Sequence, residues 1–135
     1  MEWVQARIVE GSQIISRLLM APDVSFGGLT PKQIPDEPGL YLIFEKVAGD
    51  GKFLRAGRTD DGGLRQRLYK NHLMGNQRGN LPAQLVRDGR CRTISEAKSW
   101  IRDHCVSRFI IERDAQKRVW AEHFILAVLR PEFGN

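Results

Sequence analysis

A chain of 135 residues, 41% apolar and 27% charged, is sized for one domain around one core and is ordinary for a globular protein. No apolar run approaches the roughly 20 residues a bilayer span needs. The opening MEWVQARIVEGSQIISRLLM carries an early acid and no unbroken apolar stretch, so it does not read as a signal peptide. Two cysteines, Cys91 and Cys105, form no CxxC pair and no disulfide framework, which makes a reduced cytoplasm the expected compartment. The net charge of +5 favours an anionic partner, nucleic acid being the commonest, although a merely soluble basic protein satisfies the same charge.

Val4, Ile8, Ile15, Leu18 and Leu19 recur at roughly helical spacing, interrupted by Gly11, and predict a helix over residues 4–20. Residues 21–38, APDVSFGGLTPKQIPDEP, are rich in Pro and Gly and read as a loop. GLYLIFEKV (39–47) and FLRAG (53–57) read as two strands of a hairpin, joined through the turn signal Asp50–Gly51. Gly62–Gly63 opens a helix from Leu64 to about Asn71. A polar loop, MGNQRGN, covers 74–80, and LPAQLVRDG supplies one or two helical turns. Ser95 before Glu96 reads as an N-cap with a first-turn acid, starting a helix that runs to about Cys105. SRFIIER (107–113) is a third strand, and residues 115–129 form a strongly periodic helix. A hairpin, few strands and several helices predict an α+β fold.

Two features suggest chemistry. The stretch FLRAGRTDDGGLRQRL gathers Arg55, Arg58, Arg65 and Arg67 around a glycine-rich bend. Arg65 and Arg67 lie about 200° apart on an ideal helix, so only one of them can face a given site. In the last helix, Glu122 shares a face with Val119, Ile125, Leu126 and Leu129, which turns a carboxylate toward an apolar stripe. Such a carboxylate needs a cation beside it: an arginine, a lysine or a metal ion. His123, about 100° further round, packs at the flank with Trp120 or serves as a ligand. Cys91, Cys105, His104 and His123 lack any zinc-site spacing.

These residues resemble the GIY-YIG nuclease family. PGLY (Pro38, Gly39, Leu40, Tyr41) matches its first strand, and Arg55, Ala56 and Gly57 fall where the second strand carries Tyr-Ile-Gly. Leu64, Arg67 and Leu68 match its L-x-x-R-[LIV] helix, and Glu122, Pro131 and Asn135 match its closing helix and tail. The resemblance covers roughly residues 34–135. It implies a small antiparallel three-stranded sheet flanked by helices, here with an extra N-terminal helix and loop over 1–33. Together these make a single domain over 1–135. Two departures stand out. Arg55 replaces the usual tyrosine. Some members carry a histidine four residues after the helical arginine, whereas His72 follows Arg67 by five, about 140° away on an ideal helix.

The resemblance implies Mg²⁺- or Mn²⁺-assisted phosphodiester hydrolysis on nucleic acid, with DNA the expected substrate and no membrane partner. Tyr41 would lie near the attacking water. A free tyrosine ionises only near pH 10, so it would need a cationic neighbour, which Arg55, a metal or His72 could supply. Arg67 would donate to phosphate oxygens, and Glu122 would hold one metal ion. Tyr41, Arg55, Arg67 and Glu122 are expected in one cleft, with Glu122 and Tyr41 on the same side of the sheet. Arg58, Arg65, His72, Asn76, Arg78 and Asn135 are the expected substrate contacts. The alternative is a nucleic-acid-binding module on the same fold, catalytically weak because of Arg55.

Overall fold

The computed structural model describes residues 1–46, 52–60, 62–75 and 77–133; the expected turn at Asp50–Gly51, and Asn76 and Asn135, lie outside them. The elements in chain order are helix α1 (Glu2–Leu19), strands β1 (Val24–Ser25), β2 (Gly39–Glu45) and β3 (Lys52–Arg58), and the short helix α2 (Gly63–Arg65). α2 runs directly into a π-helix, Gln66–Leu73. Helices α3 (Leu81–Arg87) and α4 (Ile94–His104), strand β4 (Cys105–Ile111) and helix α5 (Ala115–Leu129) follow.

The class is α+β, and the sheet is antiparallel with the order β1-β4-β2-β3. The expected three strands become four. β1 is only two residues long, too short to show alternation, and it exists because β4 presents a free edge to Val24 and Ser25. The helix capped by Ser95 in the sequence reading starts instead at Thr93, whose hydroxyl accepts the Glu96 N–H at 3.1 Å.

β2 is buried on both faces, which explains its near-continuous apolar run. Tyr41 and Ile43 point to one face and pair across the hairpin with Gly57 and Arg55. That face is covered by Leu64, Leu68 and Leu73 of the α2–π segment, by Leu81 and Leu85 of α3, and by Ala97 and Ile101 of α4. Leu40, Leu42 and Ala56 point the other way, onto Ile14, Ile15 and Leu18 of α1 and Ala121 and Ile125 of α5. α1 is therefore half of the second layer. At Gly11 a methyl group would stand 2.6 Å from the ring of Phe124, so the glycine lets α5 press against α1.

β3 is an edge strand. The tail after α5 covers part of that edge: the Glu132 and Phe133 N–H groups donate to the Phe53 and Leu54 carbonyls at 3.1 and 2.8 Å. Cys91 and Cys105 are buried free thiols, and burial pushes Cys105 up to about 12, which makes it unreactive. No described helix is long and apolar enough to cross a membrane.

Candidate active site at the edge of the sheet

The site forms where β3 ends. Tyr41 lies fully buried over Gly57, its cross-strand partner; a Cβ at 57 would come within 2.5 Å of the Tyr41 hydroxyl oxygen. Glycine is thus required here by close approach to the tyrosine. The hydroxyl meets two nitrogens, Nε2 of His72 at 2.8 Å and Nε of Arg67 at 3.2 Å.

The π-helix explains how both reach it. In a π turn the residue that stacks over i is i+5, because hydrogen bonds run i to i+5; the Met74 N–H accordingly bonds the Tyr69 carbonyl. Arg67 and His72 are five apart, and so are the buried Leu68 and Leu73. The 140° separation expected on an α-helix is corrected by this winding.

His72 is fully buried, so it backs Tyr41 and does not face substrate from the loop, as the sequence reading expected. Its Nδ1 accepts the Leu81 N–H at 3.1 Å, one of the first-turn amides of α3 that has no partner within its helix. Burial, and then the charges of Arg55 and Arg67, hold the ring well below its ordinary range, so it is neutral. With Nδ1 accepting, Nε2 carries the hydrogen and donates to Tyr41. The phenolic oxygen therefore receives two N–H donors.

Glu122 enters from the other layer. α5 packs on the face opposite Tyr41, which corrects the expectation that the two share a side and counts against the nuclease reading. Its carboxylate comes round the free edge of β3 instead. Oε2 accepts the Arg58 backbone N–H at 3.0 Å, and Oε1 accepts from Arg58 Nη1. Arg58 projects to this side because it lies opposite Leu40 in the register. Its Nε donates to Asp60 at 2.9 Å, and this bond, with the charge of Glu122, raises its already high pKa. The cation that the buried Glu122 requires is thus an arginine.

An open cleft of about 340 Å³ lies between the two layers, lined by Arg58, Thr59, Asp60, Gln66, Arg67, Asn71 and Glu122. Arg67 and Glu122 line it directly, and Tyr41 joins it through Arg67. Arg55 does not line it: at 2% exposure it is packed inside beside Ile43, and it acts on the site through its field at His72. Arg65 turns away, its Nε donating to the Pro31 and Ile34 carbonyls at 2.9 and 3.0 Å. The amides of the glycine bend are also used internally. The Leu64 and Arg65 N–H groups bond the Glu37 and Pro35 carbonyls, with Gly62 and Gly63 at positive φ. Arg78 is exposed on the loop after the π-helix, and His123 is exposed on α5.

Thr59, Asp60, Gln66 and Asn71 were not singled out from the sequence, nor was Arg118. Arg118 is 7% exposed and braces the site by donating to the Thr59 and Glu112 carbonyls, each at 2.9 Å. Its place four residues before Glu122 puts it on the same helix stripe, a spacing that could have revealed it.

Among the described residues no group of three or more His, Cys, Asp or Glu side chains gathers as a metal site. A hard divalent cation that keeps most of its water needs only one or two carboxylates. Glu122, with hard oxygen donors on an open cleft, fits that requirement, and Arg58 competes for the same Oε1. No family model, curated protein or solved structure matches the chain.

Proposed function

We propose that this protein is a metal-dependent endonuclease of the GIY-YIG type that hydrolyses phosphodiester bonds in nucleic acid, DNA foremost. The observation that carries the reading is the Tyr41 hydroxyl. Buried beneath the cleft, it receives N–H donors from His72 and from Arg67, and Arg67 lines the cleft together with Glu122. The hydroxyl would serve as a proton relay for the attacking water, taking its proton and passing on its own, with Arg67 between it and the open cleft. Arg67 keeps further N–H groups for the non-bridging oxygens of a phosphate, where negative charge grows in the transition state. Glu122 would hold Mg²⁺ or Mn²⁺; when bound, such an ion supplies Lewis-acid stabilisation of the leaving oxygen. Burial keeps His72 in its neutral, donating form, and the charge of Arg55, standing where the family has a tyrosine, adds to it. Arg78, exposed on the loop after the π-helix, would add phosphate affinity.

The second reading is a nucleic-acid-binding module without catalysis. The ion pair between Arg58 and Glu122 favours it, since it neutralises the metal-binding carboxylate. Incubation with single-stranded and duplex DNA and RNA, with Mg²⁺, Mn²⁺ or EDTA, separates the two. Metal-dependent cutting that Glu122→Ala abolishes, with binding intact or stronger, is the expected result. Binding without cutting selects the module.

A further inference from the structure

The geometry points to Arg58 as a displaceable counterion that couples divalent-cation binding to phosphate binding in the cleft, an inference that rests on the nuclease reading of Glu122. Glu122 is 5% exposed, and a carboxylate so buried does not stand without compensating charge. Its two donors differ in kind. The backbone N–H of Arg58 on Oε2 belongs to the sheet and stays. The Nη1 group on Oε1 ends a flexible side chain that is 26% exposed and lines the cleft. The same guanidinium reaches out to Asp60, whose side chain is 66% exposed. Arg58 thus spans a buried, fixed carboxylate and a surface one.

A cation at Oε1 and the guanidinium exclude each other. When the guanidinium leaves, the backbone N–H still holds Oε2, so the carboxylate keeps its position. The released side chain remains tethered at the end of β3, beside Arg67. Among the described lining residues, two guanidinium groups and a dication then face the two carboxylates of Glu122 and Asp60, an excess of positive charge. A phosphate relieves it, and Arg58 has the planar fork to bind one. Cation therefore favours phosphate, and by reciprocity phosphate favours cation to the same degree. In the free protein the ion pair competes with the cation, and bound nucleic acid favours assembly of the hydrolytic centre.

The test is Mn²⁺ affinity, measured by electron paramagnetic resonance of the free ion, with and without inorganic phosphate. Wild type is compared with Arg58→Gln, Arg58→Lys and Glu122→Gln; the last also serves as the blank for pairing of Mn²⁺ with phosphate in solution. Without phosphate, Arg58→Gln binds Mn²⁺ about tenfold more tightly than wild type, within the usual range of coupling between sites. Phosphate tightens the wild-type site by a similar factor and leaves Arg58→Gln nearly unchanged. Arg58→Lys, which can reach one carboxylate at a time, falls between. It decides the matter if circular dichroism shows the Gln variant unfolded. Binding by both Arg58 variants equal to or weaker than wild type, with Glu122→Gln still abolishing it, overturns the counterion role and leaves the metal site standing. Mn²⁺ binding that Glu122→Gln does not touch, or none in any variant, overturns the nuclease reading and the coupling with it.

Discussion

Leu42 and Tyr41 are neighbours on β2 and both are fully buried, yet they enter different interiors. Leu42 meets Ile, Leu and Ala side chains of α1 and α5, where volume and apolar area are what count. Tyr41 meets His72 and Arg67, with Arg55 on the same face of the sheet. There each polar atom must find its partner in a fixed direction, because an unmatched one is costly in a low dielectric. One sheet thus separates an apolar face from a face whose own apolar core also holds a polar constellation in place. The cleft opens only at the edge, where Glu122 reaches round from the apolar side.

Breaking the two faces in turn should give opposite results. Tyr41→Phe is expected to lower single-turnover DNA cleavage by about 10²–10⁴-fold, the range for losing a positioned proton acceptor. Wild-type cutting by that variant would remove Tyr41 from the chemistry. Leu42→Ala should instead cost about 2–5 kcal/mol in urea denaturation while leaving the rate per folded molecule unchanged. A slower rate in its folded fraction would mean that the apolar face also tunes the site.

Gly57→Ala sharpens the contrast, since its methyl would collide with the Tyr41 hydroxyl and with nothing on the other face. It should destabilise by about 1–3 kcal/mol and depress cleavage further than the folded fraction explains. Equal losses in both would make Gly57 a packing residue only.

Stability against pH should carry the mark of the polar face. His72 is held well below its ordinary value of about 6.5, so the unfolded chain binds more protons at this ring. Its contribution is complete above that value and is lost as pH falls from about 7 toward 5, at up to about 1.4 kcal/mol per pH unit. His72→Gln should flatten the profile across that window, and Arg55→Met should move the ring's titration, followed by NMR, back toward normal. A wild-type profile already flat there would contradict a neutral, buried His72. The smallest effect belongs to exposed Arg78: its change to Ala should weaken DNA binding a few-fold and lower the salt slope by about one.

Much of this was readable from local pattern. Order and type of the main elements followed from periodicity, the boundaries of α5 among them, because a stripe of apolar residues is a local property of the chain. The demand for a cation at Glu122 was readable in the same way, since residues three and four apart must share its face. The two-residue β1 was not readable, because its existence depends on a free edge formed by residues far along the chain. The arginine cluster points Arg58 at phosphate, but its bond to Glu122 joins residues 64 apart and follows from the register that sets Arg58 opposite Leu40.

The clearest division lies between Arg67 and His72. By itself the sequence determined that both stand on one helical segment and that they are five residues apart. On an α-helix that spacing separates them. Only the tertiary structure decided that they meet. Leu68 and Leu73 must both be buried under the sheet, and His72 must accept the first amide of α3. The segment satisfies both by winding as a π-helix, in which residues five apart share a face. Local winding yielded to packing, and the two donors came together on Tyr41.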